Sequence, residues 1–183
     1  VQSGSDKILK KMNRNHSIQF YKNILDKLKR ANPKIKFSSD FIIGYPSETK
    51  EDFKKSLELL KDVGFIQTFS FLYSQRPGTP ATNLDQVGIE EKRNRLREFQ
   101  KLSELTKLNY RKKLLNKKVS VLVENKAKGI DQYFGRDEHL NSVVFKSSKN
   151  LIGKILDIKI TEVNIQTLTG ELDNFNIDQE FAA

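Results

Sequence analysis

FSSDFIIGYPSET, residues 37–49, decides how the N-terminal half of the chain folds. It contains an apolar strand that ends at Ile43, a turn at Gly44 and a helix start that Ser47 or Thr49 can cap. In parallel α/β proteins, ligands bind in the loops at the carboxyl ends of the strands. We therefore expect this loop to form one wall of a ligand site, although an ordinary strand-to-helix connection has the same pattern.

The segments around this loop alternate between helical and strand patterns. Helices are predicted after residue 5 and over residues 17–30 and 51–63, and strands over residues 35–43 and 65–73, with a strand end at residues 1–4. This order is typical of parallel βαβ units. Three strands neither bury a parallel sheet on both faces nor close a barrel. We therefore expect an α/β domain that is a partial barrel, incomplete at its N-terminal side, and a chain that is a fragment.

The middle of the chain is strongly basic. Residues 90–118 carry 11 basic and four acidic residues, in a chain of 183 residues with a net charge of +10. A long helix is predicted over about residues 89–115, with apolar residues at every third position, so we expect burial against more than one surface. The cations in and after this helix are candidates for phosphate contacts, although a charged run is usually a solvated helix face.

Residues 119–172 show the alternation of an all-β domain. Five short strands between turns rich in glycine or asparagine predict a small, closed or nearly closed barrel of the OB type. Such barrels commonly bind oligonucleotides, and a purely structural barrel would have the same composition. The predicted domains are a partial barrel at 1–89, a basic connecting helix at 90–118, a β-barrel at 119–172 and a poorly ordered acidic tail at 173–183.

The composition excludes several kinds of site. The chain has no cysteine, and its two histidines, His16 and His139, lie far apart in sequence. Its own residues therefore offer no disulfide, no thiol nucleophile and no thiolate metal site. No apolar run approaches the length of a transmembrane helix. The positive net charge favours a polyanionic partner, with nucleic acid ahead of a membrane surface.

Several stretches together resemble the C-terminal part of one enzyme family. They are VQSGSDKILKKMNRNHS at residues 1–17, SSDFIIGYPSETKEDF at 38–53, GFIQTFSFLYSQRPGTPA at 64–81, and the closing barrel. In this order they are similar to the MiaB-type tRNA methylthiotransferases, over residues 1–172. The methylthiotransferases that act on threonylcarbamoyl-adenosine share QSGSD-like motifs and remain an alternative. The related family that modifies a ribosomal protein is a more distant one.

The resemblance implies a radical S-adenosylmethionine enzyme whose barrel is followed by a TRAM domain. Such enzymes add a methylthio group to C2 of isopentenyl-adenosine next to the anticodon, using S-adenosylmethionine and two 4Fe-4S clusters. One cluster is held by a Cys-x3-Cys-x2-Cys motif. Since this chain has no cysteine, we expect the cluster ligands upstream and the fragment alone to be inactive, with no catalytic or metal-binding residue. The implied partner is the tRNA anticodon stem-loop, and the implied whole protein is cytoplasmic and monomeric, with no membrane partner.

The same resemblance implies which residues bind the cofactor and the RNA. The expected cofactor-binding residues are Gln2, Ser3, Asp40, Ile43, Gly44 and Tyr73, and the expected RNA- or substrate-binding residues are Arg76, Arg111, Lys112, Lys113 and Arg136. Two positions depart from the family pattern, since Ser47 replaces a glycine of GFPGET and Gln75 replaces a proline. Ser47 would strain the loop if its φ is positive, and Gln75 would loosen the turn before Arg76.

Two further interpretations stay open. The chain could be a stand-alone RNA-binding module without catalysis, which predicts tRNA binding that weakens steeply as salt rises. In the other interpretation, the positive charge merely keeps a truncated domain in solution. The sheet edge that truncation would expose argues against a stable monomer in that case.

Overall fold

The computed structural model describes residues 1–172 of the 183-residue chain, so the predicted acidic tail lies outside the described residues. The fold is mixed α/β and divides into two compact units, Val1–Lys107 and a second that begins at Leu108. This boundary falls inside the basic segment predicted as a connecting helix. No helix within residues 1–172 is long and apolar enough to cross a membrane.

The first unit combines helices with a two-stranded parallel sheet. Its helices are α1 (Asp6–Lys11), α2 (Ile18–Ala31), α3 (Lys50–Val63) and α4 (Ile89–Lys112), the last of which continues into the second unit; its strands are β1 (Ser38–Ile43) and β2 (Gln67–Leu72), followed by a 3-10 turn (Pro80–Asn83). The strands pair in parallel with α3 between them, so the predicted βαβ order is confirmed. Helix α4 ends three residues before the predicted position.

The prediction of a strand end at residues 1–4 is wrong. This segment lies beside β1, where the Ile42 N–H donates to the Gln2 carbonyl oxygen over 3.0 Å, but it forms no regular ladder within the described residues. Ser3 and Gly4 pack against α3 instead, and the Gly4 N–H donates to Ser56 Oγ over 2.8 Å. The segment therefore turns away from the sheet as soon as it has passed β1.

Helix α3 begins and ends as its sequence predicts. The Asp52 N–H donates to Thr49 Oγ1 over 3.2 Å and the Thr49 N–H donates to the Asp52 carboxylate over 3.1 Å, which forms a capping box. Gly64 ends the helix in the left-handed conformation, with φ 66°. Asp52 also accepts hydrogen bonds from Ser5 Oγ at 2.7 Å and Lys7 Nζ at 2.8 Å, so one carboxylate ties α1 to α3.

Replacing Asp52 by asparagine is expected to destabilise the first unit by about 2 kcal/mol at neutral pH, because charge-assisted hydrogen bonds are lost. Burial alone would raise the pKa of Asp52, but the hydrogen bonds from Lys7, Ser5 and Thr49 hold that pKa well below its ordinary value. A carboxyl with a depressed folded-state pKa stabilises the fold above its unfolded pKa, near 4, and this stabilisation is lost as the pH falls further.

Urea unfolding of the wild type and Asp52→Asn at pH 7 and below pH 4 checks this expectation. The difference in unfolding free energy should shrink at acid pH. Asp62→Asn is the control, because Asp62 pairs with Lys22 on the surface and its loss should cost under about 1 kcal/mol. A difference for Asp52→Asn that is the same at both pH values would contradict the assigned role.

The core of the first unit is aromatic. The Phe41 ring lies 4.7 Å from the Phe99 ring of α4 and 5.9 Å from the Phe65 ring, centroid to centroid, and all three side chains are buried. On β2, by contrast, Phe69 and Phe71 remain 50% and 57% exposed. The sheet is therefore packed on one face, whereas the aromatic residues of β2 on the other face are open.

The second unit is a closed five-stranded barrel. Its strands are β3 (Lys118–Lys126), β4 (Gln132–Asp137), β5 (Ser142–Lys146), β6 (Ile155–Val163) and β7 (Leu168–Leu172), in the closed order β3-β4-β5-β7-β6. Only the β5–β7 pair is parallel among these neighbours. Alternating residues such as Val121, Val143 and Ile158 fill the interior. The predicted small β-barrel is confirmed.

Candidate functional site

A cleft of about 760 Å³ opens in the first unit where β1 and β2 end. Its walls come from the turn after α1, from Ile42 and Leu72 at the strand ends, from Tyr45 of the following loop, and from residues 73–81. Ligand sites in parallel α/β folds form at this end of the sheet, because several loops converge there. The cleft is therefore the candidate small-ligand site of this unit.

Two tyrosines form the aromatic wall of the cleft. The rings of Tyr45 and Tyr73 meet edge to face with centroids 5.0 Å apart, and the Tyr45 hydroxyl donates to the Lys11 carbonyl oxygen over 2.9 Å. Burial raises the pKa of Tyr45, so its phenol stays neutral at physiological pH. The Tyr73 hydroxyl is buried and has no hydrogen-bond partner within residues 1–172. Tyr73 therefore keeps an unused donor next to the cleft.

The rim of the cleft is positively charged. Lys11, Arg14 and Arg76 line it with exposed side chains, and no carboxylate belongs to the lining in the described part of the chain. Aromatic faces stack on nucleobases, and guanidinium groups bind carboxylates and phosphates. The chemistry of the cleft thus suits a ligand that joins a nucleobase to an anionic group.

The loop between β1 and α3 contains two residues with positive φ and is held in place by hydrogen bonds to Glu48. Gly44 has φ 70° and Ser47 has φ 63°, so Ser47 occupies the left-handed region that the family glycine would occupy without strain. The Gly44 N–H donates to Glu48 Oε1 over 3.2 Å, and Arg95 Nη1 donates to the same oxygen over 2.7 Å. Burial raises the pKa of Glu48, which the hydrogen bonds from Arg95 oppose.

Replacing Ser47 by glycine is expected to stabilise the first unit relative to Ser47→Ala by about 1 kcal/mol, since alanine keeps the left-handed strain and glycine removes it. Alanine is the matched control because it deletes the hydroxyl and retains Cβ. Thermal unfolding of both variants measures the difference. Equal stabilities would mean that the positive φ of Ser47 carries no cost.

The structure separates the expected cofactor-binding residues of the sheet. Tyr73 lines the cleft. Ile43 is buried in the core, and Gly44 packs against the side chain of Lys92. Asp40 is exposed on β1, directly opposite the exposed Phe69 of β2. These four residues therefore do not surround a single cavity in this unit.

The expected cofactor role of Ser3 needs correction. Ser3 is buried, and its hydroxyl lies 3.5 Å from Ser56 Oγ and accepts the Ser5 N–H over 3.2 Å. The side chain faces α3, because the chain turns there to let Gly4 touch that helix. Gln2 is half-buried and uses its backbone carbonyl to accept from Ile42.

The expected RNA-binding role of Arg111 also needs correction. Arg111 is 2% exposed, and its guanidinium donates to Asn141 Oδ1 at 3.1 Å and to the carbonyl oxygens of Asn164 and Ile165 at 3.0 and 2.6 Å. It joins the end of α4 to two loops of the barrel unit. A guanidinium used in this way is not available to a phosphate.

The other basic residues expected to bind RNA are accessible. Lys112 and Lys113 are exposed. Arg136 on β4 is exposed, lies 5.6 Å above the Phe134 ring and is 3.3 Å from Glu124. An arginine stacked on a surface aromatic ring presents both a cation and a flat face, which is a common arrangement for binding bases and backbone.

A second cleft, of about 790 Å³, lies on the barrel between β5, β6 and β7. Its lining includes Lys146, Thr161 and Thr169, but also the carboxylates of Glu162 and Glu171. Because the carboxylates would repel phosphates, this cleft is a weaker candidate for RNA backbone than the Phe134–Arg136 surface.

Sequence reasoning missed two buried cations of α4. The cations of this helix are predicted as candidates for phosphate contacts, yet Arg95 and Lys92 are only 7% and 8% exposed. A signal was present, since these residues precede the buried Phe99 by four and seven positions and so share its helix face. The partner of Arg95, Glu48, carried no such signal.

Comparison with known proteins shows which families and which individual proteins the chain is similar to. Residues 1–60 match the model of the radical SAM superfamily, and residues 112–172 match that of the TRAM domain. The chain is similar to tRNA-2-methylthio-N(6)-dimethylallyladenosine synthases of Pelagibacter ubique (46% identical over 94% of the chain), Buchnera aphidicola (43% over 96%) and Rickettsia rickettsii (42% over 94%). It spans 39%, 40% and 39% of their lengths, respectively. These similarities confirm the resemblance drawn from the motifs.

Proposed function

From its similarity to tRNA-2-methylthio-N(6)-dimethylallyladenosine synthases, we propose that this chain is the C-terminal part of a radical S-adenosylmethionine methylthiotransferase of the MiaB type, which modifies isopentenyl-adenosine next to the anticodon of tRNA. The observation that carries the proposal is similarity above 40% identity over nearly the whole chain, with a radical SAM match and a TRAM match in the same order. We place the whole protein in the cytoplasm and expect it to be a monomer.

The first unit is proposed to be part of the radical SAM barrel. A parallel pair of strands with a helix between them is the repeating unit of such barrels, and the half-exposed Phe69 and Phe71 leave an apolar face for further strands to enclose. We propose the domain limits at residues 1–89, 90–118 and 119–172, with the acidic tail after them.

The cleft of the first unit fits the nucleoside and amino-acid parts of S-adenosylmethionine. Tyr45 and Tyr73 would contact the nucleoside, while Arg76 at the rim would meet an anionic group of the cofactor or of the RNA. Gly44 and Gln2 are proposed as outer contacts at the same end of the sheet, and Asp40 as a contact further back along β1. The unused Tyr73 hydroxyl supports this fit, because a ligand acceptor would satisfy it.

The residues of this chain do not fit an iron–sulfur cluster. The chain has no cysteine, and residues 1–172 bring together no group of histidine and carboxylate side chains that could hold a metal. The two clusters of the proposed enzyme would be held by the remainder of the protein. Bound S-adenosylmethionine and clusters supply radical and sulfur chemistry, which acid–base side chains do not provide.

The second unit is proposed to bind the tRNA anticodon stem-loop. The Phe134–Arg136 surface offers stacking, and the exposed Lys112 and Lys113, at and just after the end of α4, offer phosphate contacts. The net charge of +10 favours such a partner at long range.

The first experiment is to sequence the coding region upstream of Val1 and to express the complete polypeptide. A reading frame with Cys-x3-Cys-x2-Cys, and a methylthio product on isopentenyl-adenosine in tRNA detected by mass spectrometry, would support the proposal. A product on threonylcarbamoyl-adenosine or on a ribosomal protein would move the chain to a related methylthiotransferase. A reading frame without these cysteines would overturn the proposal that the whole protein is a radical S-adenosylmethionine enzyme.

The second candidate is an RNA-binding module without catalysis, favoured by the basic charge and the TRAM match. Lys112→Met/Lys113→Met is expected to weaken tRNA binding across sequences and to lower the salt dependence of log K by about 2, because each phosphate contact contributes about 0.9. Lys54→Met, on the exposed face of α3, is the control. An unchanged salt dependence in the double variant would remove these lysines from the RNA surface.

A further inference from the structure

The first two turns of α4 carry two buried cations in a part of the chain that neither family match covers. The matches end at residue 60 and resume at residue 112, whereas Lys92 and Arg95 lie between them with 8% and 7% of their surface exposed. Lysine and arginine are almost never buried unless they are held by specific partners. The partners of these two cations therefore indicate what this part of the helix does.

Arg95 ties the loop after β1 to α4. Its Nη1 donates to the Glu48 carboxylate at 2.7 Å and to the Glu48 carbonyl oxygen at 3.0 Å, and its other nitrogens donate to Glu91. The same Glu48 carboxylate accepts the Gly44 N–H at the opposite end of the loop. One guanidinium thus binds both the backbone and the side chain of Glu48, and through that carboxylate it closes residues 44–48 into a fixed turn.

Lys92 lies between this turn and the end of β2. A Cβ built on Gly44 would come within 2.4 Å of Lys92 Cγ, so the lysine stem occupies the space that a side chain at residue 44 would need. The Lys92 ammonium lies 5.3 Å from the centroid of the Tyr73 ring, and no carboxylate within residues 1–172 forms an ion pair with it. Lys92 therefore contacts the loop after β1 and the aromatic wall of the cleft at once.

We expect the contacts of Lys92 and Arg95 to fix the conformation of the loop at residues 44–48 more than they increase the free energy of unfolding. A buried ion pair gains little over apolar residues of similar volume, because removing both charges from water offsets their attraction. Directional hydrogen bonds to a carboxylate and a carbonyl oxygen, however, allow a single loop conformation. Tyr45 of this loop and the Tyr73 ring line the cleft, so a loosened loop or ring would have to be ordered again when a ligand binds, which weakens affinity.

We propose that Lys92 and Arg95 are positioning residues, which hold the turn at residues 44–48 and the Tyr73 ring in the arrangement that binds the nucleoside-containing ligand of the cleft. The proposal rests on the proposed function in one respect, since the ligand is taken to be S-adenosylmethionine. The two residues act through Gly44, Glu48 and Tyr73 and need not touch the ligand themselves.

The test compares Arg95→Met, the double variant Arg95→Met/Glu48→Gln and Lys92→Met with the control Arg93→Met in the complete polypeptide. Arg93 lies on the exposed face of the same helix, where it pairs with Glu90. The single Arg95→Met leaves a buried carboxylate without its partner and should lower the melting temperature, whereas the double variant should recover it. S-adenosylmethionine should bind roughly 10-fold more weakly to the double variant and to Lys92→Met than to Arg93→Met, because binding must then order the loosened loop and ring.

Recovery of both stability and S-adenosylmethionine affinity in the double variant, or an affinity of Lys92→Met equal to that of Arg93→Met, would overturn the proposal. Amide exchange at Gly44 is a readout that does not depend on ligand or activity, and it should be faster in the double variant than in Arg93→Met. If the wild-type polypeptide does not bind S-adenosylmethionine, the proposed function is wrong. If the Gly44 amide exchanges at the same rate in the double variant as in Arg93→Met, the positioning role is wrong, whatever the ligand.

Discussion

Arg111→Met is expected to destabilise the barrel unit by about 3–5 kcal/mol, because it leaves Asn141 Oδ1 and the carbonyl oxygens of Asn164 and Ile165 without their donor. Asn141 in turn donates to the buried Asp137 carboxylate over 2.8 Å, so the loss extends into the turn between β4 and β5. Methionine keeps most of the volume and removes the five N–H donors. The variant therefore isolates the hydrogen bonds from the packing.

Native-state amide exchange of barrel-core residues such as Val121 and Ile158 measures this loss for the barrel unit separately. Lys112→Met is the neighbouring control, since Lys112 is exposed and its loss should change stability by less than about 0.5 kcal/mol. The two variants should also differ in tRNA binding. The salt dependence should fall for Lys112→Met and stay unchanged for folded Arg111→Met. A salt dependence that falls for Arg111→Met and stays unchanged for Lys112→Met would show that Arg111, and not Lys112, contacts the RNA.

Gly4→Ala is expected to destabilise the first unit by about 3 kcal/mol or more, because the new methyl group has no space. A Cβ at residue 4 would come within 2.3 Å of the Lys55 carbonyl oxygen and 2.6 Å of Ser56 Cα, both of them backbone atoms of α3. To relieve this overlap, the N-terminal segment and α3 must separate, which also breaks the Gly4 N–H bond to Ser56 Oγ. The glycine of the QSGSD motif thus permits close packing of backbone on backbone.

Amide exchange at Ile42 reports this separation directly, since its N–H donates to the Gln2 carbonyl oxygen. Gly88→Ala is the control in the same unit, because a Cβ at residue 88 meets no atom within 4 Å. Its effect should stay within about 1 kcal/mol. Comparable losses in the two variants would show that crowding at residue 4 is relieved elsewhere.

The local elements of the chain could be predicted because their signals are local. The capping residues of α3, the left-handed glycine at its end and the alternation along β3 to β7 all act within a few residues of one another. The parallel order of β1 and β2 followed from the helix between them. The short segment at residues 1–4 was misread, since a few residues cannot reveal which neighbour they will pair with.

The residues of the candidate sites were predicted less well than the helices and strands, because the type of a residue does not reveal which groups its side chain will contact. Arg111 and Lys112 are adjacent cations in sequence, yet the first is buried among backbone carbonyls and the second is exposed. Ser3 carries a hydroxyl suited to a ligand, but it faces Ser56 of α3. In each case the outcome depends on residues more than 30 positions away, which no local pattern contains.

By itself, the sequence determined the order of the helices and strands after residues 1–4, and the β-barrel that follows a βαβ unit. It also determined the absence of thiolate ligands and the family resemblance that the comparisons confirmed. Only the tertiary structure decided which cations are structural and which are free to bind, and that Lys92 and Arg95 reach the loop after β1. The physical reason is that burial and hydrogen bonding are set by segments that meet in space.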